Sequence, residues 1–261
     1  MKYWTMLLAL AVFTQAHAGD DARRVLDCMR ANVPSAAQVE DIQLSSSDST
    51  GTTRALSGKI YAQRKGTHGS GELQVALRIE SPTPYAGAAY LIREPGAGRQ
   101  SSMFVYLPSV GRVRRITGAF VDGSLMGTNF SYQDFRQLAT AFAGSTATLE
   151  PPSTIEQRPV YVLSFRPAAG SHSSFDRVRA WVDQKTCVPL KASFYAGNAL
   201  LKALTASPDA LRQSGKYWYL SEMTMSDLRS GSQTVLRVSH VGEGVGIDKH
   251  YFEPGSFYQA N

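Results

Sequence analysis

From residue 38 onward, short stretches of alternating or wholly apolar residues recur at near-regular spacing, punctuated by Ser, Gly and Pro clusters. They cover residues 38–45, 52–63, 71–80, 85–93, 102–107, 112–116, 146–149, 159–166, 175–183, 188–195, 200–206, 217–227 and 234–242. Successive side chains of a strand point to opposite faces, so a period of two marks a sheet with one buried face. About a dozen such strands, with no repeat and no linker among them, predict a mainly β chain. The expected form is a single antiparallel curved sheet, a half-open β-barrel with helices filling its mouth.

Two stretches break the period. In residues 20–33, Ala22, Val25, Leu26, Met29 and Val33 recur at helical spacing, with Asp20 and Asp21 at the start and Pro34 just past the end. That spacing predicts an amphipathic helix of about three turns laid on an apolar surface. In residues 131–142, Tyr132, Phe135, Leu138 and Phe142 line one side, Ser131 is a candidate N-cap and Asp134 stands where a capping box places its acid.

Residues 1–18 have the parts of a secretory signal peptide: Lys2, an apolar run from Trp4 to Phe13, and Ala16-His17-Ala18 as a small-x-small cleavage pattern. An apolar run of about 10 residues is too short for a bilayer that needs roughly 20. Cleavage is expected after Ala18, leaving one domain over residues 19–261 in the periplasm. Cys28 lies well past that point, so it is not a lipid-modified N-terminus.

The chain is 43% hydrophobic and 18% charged, enough apolar residue for a core, with a formal net charge of +6. A basic surface suits anionic partners or a membrane face. Without clustered lysines and aromatic platforms in an exported chain, nucleic acid is not an expected partner. Two cysteines, Cys28 and Cys187, in an oxidising compartment favour a disulfide; two buried free thiols are the alternative.

No hydrolase GxSxG elbow, phosphate loop or dinucleotide fingerprint is present. The four histidines after residue 18, His68, His172, His240 and His250, form no metal-ligand spacing, and Gly242, Gly244 and Gly246 make only a loose glycine loop. Asp122, Asp134, Asp176 and Asp183 are scattered singly. No enzyme, cofactor or metal is expected, although a carboxylate pair drawn from distant strands would leave no local trace.

Residues 106–135, YLPSVGRVRRITGAFVDGSLMGTNFSYQDF, join a strand, a triple-arginine strand, a glycine-rich turn and an aromatic helix start. The run YLP, three residues, RVRRI, then a small-residue turn into GTNFSYQD resembles the signature of the periplasmic outer-membrane lipoprotein-sorting-like proteins. Their fold is similar to that of the lipoprotein carrier LolA, with helices covering the concave face. Residues 180–194, AWVDQKTCVPLKASF, are similar to that family's strand, turn and strand, and in this picture Cys187 pairs with Cys28 on the first helix. The resemblance implies a monomeric carrier of a lipid or acylated lipoprotein cargo, partnered by an inner-membrane exporter of the RND type. A non-transporting periplasmic module that docks on a membrane exporter or an assembly complex is the alternative.

A carrier of that kind needs an apolar cavity. By alternation Tyr90 and Ile92 share one face with Ala86 and Ala88, and Met103, Val105 and Leu107 share another. Val113, Phe120, Phe130, Tyr132, Phe135, Trp181 and Phe194 complete the lining set. The same side chains would equally make an ordinary packed core. Arg112 and Arg114 fall on one face of their strand and Arg115 on the other. An inward guanidinium needs a partner, such as Asp122 or Asp134. The resemblance implies that Arg114 or Arg115 holds the helical lid to the barrel; a rim that grips phosphate and a solvated surface strand are the competing assignments.

Overall fold

The alternating segments assemble into one thirteen-stranded antiparallel sheet, and its two edge strands are neighbours in sequence. The computed structural model describes residues 15–65, 71–95, 101–142, 145–167, 173–244 and 246–259, with side chains from residue 21. The N-terminal signal segment up to residue 14, His68 and His172 lie outside the described residues. The strands are β1 (Gln38–Ser47), β2 (Thr53–Lys65), β3 (Glu72–Ser81), β4 (Ala89–Glu94), β5 (Ser102–Leu107), β6 (Arg112–Arg115), β7 (Thr146–Ile155) and β8 (Arg158–Arg166). After these come β9 (Arg177–Asp183), β10 (Pro189–Ala196), β11 (Ala199–Thr205), β12 (Leu211–Ser214), β13 (Tyr217–Leu220), β14 (Glu222–Asp227) and β15 (Ser232–Glu243).

The sheet order is β6-β5-β4-β3-β2-β1-β15-β14-β11-β10-β9-β8-β7, with β12-β13 as a separate hairpin. The first and last strands zip together in its middle, from Gln38 opposite Glu243 to Ser47 opposite Gln233. The sheet is mainly β, curved and not closed, the half-open barrel the pattern predicts. The chain between edges β6 and β7 crosses its concave side. That crossing carries a 3-10 turn (Gly118–Asp122) and helix α2 (Tyr132–Ala139).

The concave face carries the main core: Ile42 and Leu44 of β1, Val75 and Leu77 of β3, Tyr90 and Ile92 of β4, Phe165 of β8, Ala180 and Val182 of β9, and Leu236 and Val238 of β15. Helix α1 (Gln15–Ala31) buries Ala22, Val25, Leu26 and Met29 against this core and packs beside β7. Cys28 of α1 is bonded to Cys187 in the β9–β10 turn, with the two Cα atoms 5.8 Å apart. Just past the helix Asn32 donates to the Thr186 carbonyl and accepts from the Trp218 backbone N–H at 3.1 Å. Among the described residues, no helix is long and apolar enough to cross a membrane.

The C-terminal tail lies on the convex side. Phe257 is fully buried against Ala76, Ala89 and Leu91, and Tyr251 and Tyr258 stack on Tyr61 and Tyr106 at 4.1 and 3.9 Å between ring centroids. Its aromatics are thus the second layer over β2 to β6.

Three segments differ from the sequence pattern. Residues 85–93 become a strand only from Ala89, because a turn closed by Tyr85 N–H to Pro82 O and by Gly87 at φ 84° occupies the start. Residues 217–227 split at Ser221, whose backbone bonds Ala210 and Val238, so that β13 leaves to pair β12. β7 runs on through Pro151 and Pro152 to Ile155, with a bulge between Glu150 and Ser153; an edge strand tolerates the missing N–H groups.

The disulfide closes a sequence separation of 159 residues. Replacing both cysteines by serine should cost about 2–5 kcal/mol, lowering the melting temperature by roughly 5–20 °C. Reduction of the native protein before thermal unfolding should give the same shift.

Candidate functional site

The crossing chain is fixed to the concave face residue by residue, and the run GTNFSYQD supplies most of the fixings. Gly127 sits at φ 75°, where an added Cβ would meet the Arg54 guanidinium at 2.5 Å. The arginine's far end could move aside, but the left-handed backbone could not, and that is why glycine stands there. Arg54, from β2, donates to the carbonyls of Met126 and Gly127 at 3.2 and 2.5 Å and to the Tyr85 hydroxyl at 3.0 Å. Thr128 folds its hydroxyl back onto the Leu125 carbonyl at 2.8 Å. Asn129 donates through its backbone N–H to the Thr234 hydroxyl at 2.9 Å and through its amide to Ser232 at 2.6 Å. Ser131 and Asp134 form the full capping box of α2. Asp134 also makes a buried ion pair with Lys202, which points inward from β11. Arg136 bonds Glu94 at 2.9 Å, and the Tyr90 hydroxyl donates to the Tyr132 carbonyl at 3.0 Å.

Beneath this lid the core does not fill the sheet. A cavity of about 230 Å³ lies between α2, the chain after α1, and strands β1, β2, β3 and β15. Ile42, Leu44, Ile60, Ala62, Leu73, Val75, Phe130, Phe135, Leu138 and Val238 are among its walls. A second hollow of about 160 Å³ lies beside it toward the disulfide, with Asn32, Val33, Leu138, Leu220 and Met223 in the walls of both. Glu40, Asn32 and Tyr219 are the polar side chains of the larger cavity's wall. Glu40 takes the concave side of β1 one step before Ile42, and burial pushes its carboxyl up to about 7. Asn32 is already spent on its two backbone partners.

A third space, a groove of about 270 Å³, runs along the β6 edge and brings together Val105, Leu107, Arg112, Arg114, Arg115, Phe120 and Tyr132. Arg114 lies opposite Val105 and Arg112 opposite Leu107, so these two arginines extend the concave face. Both are exposed. Phe120, on the 3-10 turn of the lid, is 78% exposed over the groove.

The expected lining residues therefore divide. Phe130 and Phe135 wall the larger cavity, and Val105, Leu107, Phe120 and Tyr132 line the edge groove. Tyr90, Ile92, Met103 and Phe194 are buried core, Phe194 beside Phe175 at 5.1 Å. Val113 and Trp181 need correction, because alternation puts both on the convex side. Val113 packs with Tyr106 and Phe104 under the C-terminal tail, and Trp181 lies between the cations of Arg179 and Lys191.

The arginine partners also need correction. Asp134 is taken by Lys202, and Asp122 accepts from the Ser174 backbone N–H. Arg115 emerges on the other face and donates to Ser102 at 3.3 Å. The cation that ties the lid down is Arg54, with Lys202 behind it. His240 is exposed on β15 while Asp134 is buried in its pair, so Asp122, Asp134 and His240 make no shared polar centre. Among the described residues no group of three or more His, Cys, Asp or Glu is placed to hold a metal.

Glu40, Ile42, Leu44, Ile60 and Val75 were missed although their alternation was legible. The pattern names a buried face but not where on that face the core leaves a space. Arg54 and Lys202 carried no local signal, since each meets its partner across a long stretch of chain.

A family model described as that of an uncharacterized protein matches residues 71–258, and the chain belongs to that family. No curated protein matches the sequence. Among solved structures, a DUF1329 family protein from Desulfovibrio piger is similar at a TM-score of 0.81 and 24% identity, covering 90% of this chain and 97% of that one. An outer membrane lipoprotein-sorting protein domain from Vibrio parahaemolyticus is similar at 0.78 and 20%, with the same 90% and 97% coverage. A LolA superfamily protein from Nitrosomonas europaea is similar at 0.68 and 18%, covering 89% and 97%. At these identities the likeness establishes the fold, the LolA-like open barrel.

Two outcomes test the site's electrostatics. Lys202→Met strands the Asp134 charge and should cost about 3–5 kcal/mol in denaturant unfolding, and adding Asp134→Asn should recover most of it. Glu40 has a folded pKa above its ordinary value, so the folded state holds a proton that the unfolded chain releases. Its contribution is complete below about pH 4.5 and fades as pH rises through about 7. Glu40→Gln should therefore match the native protein at pH 4 and exceed its stability at pH 8 by on the order of 2 kcal/mol.

Proposed function

We propose that this member of the family is a periplasmic carrier that shelters the apolar part of a lipid or acylated protein while moving it between membranes. The observation that carries the proposal is the pair of adjoining apolar hollows beneath a lid that spans the open side of the sheet. Together they come within the range of small-molecule sites, roughly 300–1,000 Å³. Each methylene removed from water contributes about 0.8 kcal/mol, so an acyl chain binds here without covalent chemistry. The disulfide fits an oxidising compartment, in keeping with the signal segment read from the sequence.

In this proposal the β6 edge is the contact with the membrane. Arg112 and Arg114 stand beside exposed Phe120 and half-exposed Val110, a basic and greasy rim suited to an anionic bilayer face. An inner-membrane exporter of the RND type would act as the source or the recipient of cargo. A protein that only docks on such an exporter would keep its hollows shut and take up no lipid.

The test is uptake of diphenylhexatriene and its extraction from phosphatidylglycerol vesicles. The native protein should bind the dye, and Ala62→Phe, which grows a ring into the cavity wall, should weaken binding at least tenfold. Arg112→Glu with Arg114→Glu should slow extraction from anionic vesicles while leaving extraction from phosphatidylcholine unchanged. A native protein that binds no dye, or an Ala62→Phe variant that binds as well, would sink the carrier proposal.

A further inference from the structure

The larger cavity has one charged group in its wall, and that group is an acid. Glu40 shares the concave face of β1 with Ile42 and Leu44 and stands opposite Ile60 of β2 and Val241 of β15. Among the described residues its side-chain donor is the Gln38 amide, at a long 3.3 Å. A carboxyl has lone pairs for about four hydrogen bonds, so that one donor leaves most of its accepting capacity unused. Asn32 bonds backbone on two sides, Val33 and Pro34 follow it, and Tyr219 of β13 is the other titratable group in the wall.

We propose that Glu40 is the polar anchor of the cargo site, and that the cavity takes an amphiphile whose buried polar end donates hydrogen bonds, an amine before a hydroxyl, and rejects a carboxylate or phosphate end. This assignment rests on the carrier function and names its ligand class. An ammonium placed against Glu40 supplies both the donor and the countercharge that the apolar walls lack. A hydroxyl supplies the donor alone. An anionic end would set like charges together where little water screens them. The burial that pushes the Glu40 carboxyl up to about 7 follows from the same isolation. The rim and the interior thus have opposite preferences, the arginines for an anionic surface and Glu40 for a cationic or neutral head.

The experiment displaces bound diphenylhexatriene with dodecylamine, dodecanol or laurate at pH 8. On the native protein dodecylamine should act at roughly tenfold lower concentration than dodecanol, with laurate the weakest. Glu40→Gln should bring dodecylamine and dodecanol within about twofold of each other. Glu40→Leu should do the same, and on the native protein the amine preference should fall as Glu40 takes up its proton between pH 8 and pH 5. Laurate equal to dodecylamine, displacement by none of the three, or a ranking unchanged in both variants would overturn the anchor while leaving the carrier proposal standing. Absence of dye binding by the native protein would remove both.

Discussion

The open side of the sheet is held by polar bonds at a few points, and the hollow beneath it exists because of them. Were the lid fixed only by apolar contact, the cheapest arrangement would press it down until the space vanished, since dense packing is the normal state of an interior. Instead Arg54, Asn129 and the Lys202–Asp134 pair set its height from three strands, β2, β15 and β11. Each bond has a fixed length. The lid therefore stands off the concave face while its own aromatic residues, Phe130 and Phe135, still reach down into the core.

That arrangement explains why so many features of one short run are specific. Gly127 is required by its left-handed backbone, Asn129 by two hydroxyl partners on β15, Ser131 and Asp134 by the first turn of α2. Asp134 has two duties, capping the helix and neutralising Lys202.

The architecture was legible in the sequence because period-two alternation is local. Residues 38–45, 52–63 and 71–80 were recognised as strands nearly in full, and the disulfide followed from compartment and cysteine count. What depended on distance in the chain was not legible. The break at Ser221 is set by a bond to Ala210 and leaves the alternation undisturbed. Val113 and Trp181 look like lining residues because size and hydrophobicity do not say which of two faces is hollow. Trp181 faces out among cations, and Val113 lies under a tail whose position no local pattern announces. Glu40 escapes notice for a related reason: one acid in a strand ordinarily marks the outer face, and here it stands on the concave one.

An unclosed sheet of thirteen strands has two unpaired borders, and each has its own guard. On one border a four-residue strand carries Arg112, Arg114 and Arg115; a second copy approaching with the same strand would bring like charges face to face. On the other, Pro151 and Pro152 remove donors beside a bulge, and no regular ladder can be continued there. Short length, charge and proline are the means by which sheets avoid polymerising edge to edge. The barrel can remain permanently ajar without growing into a fibre.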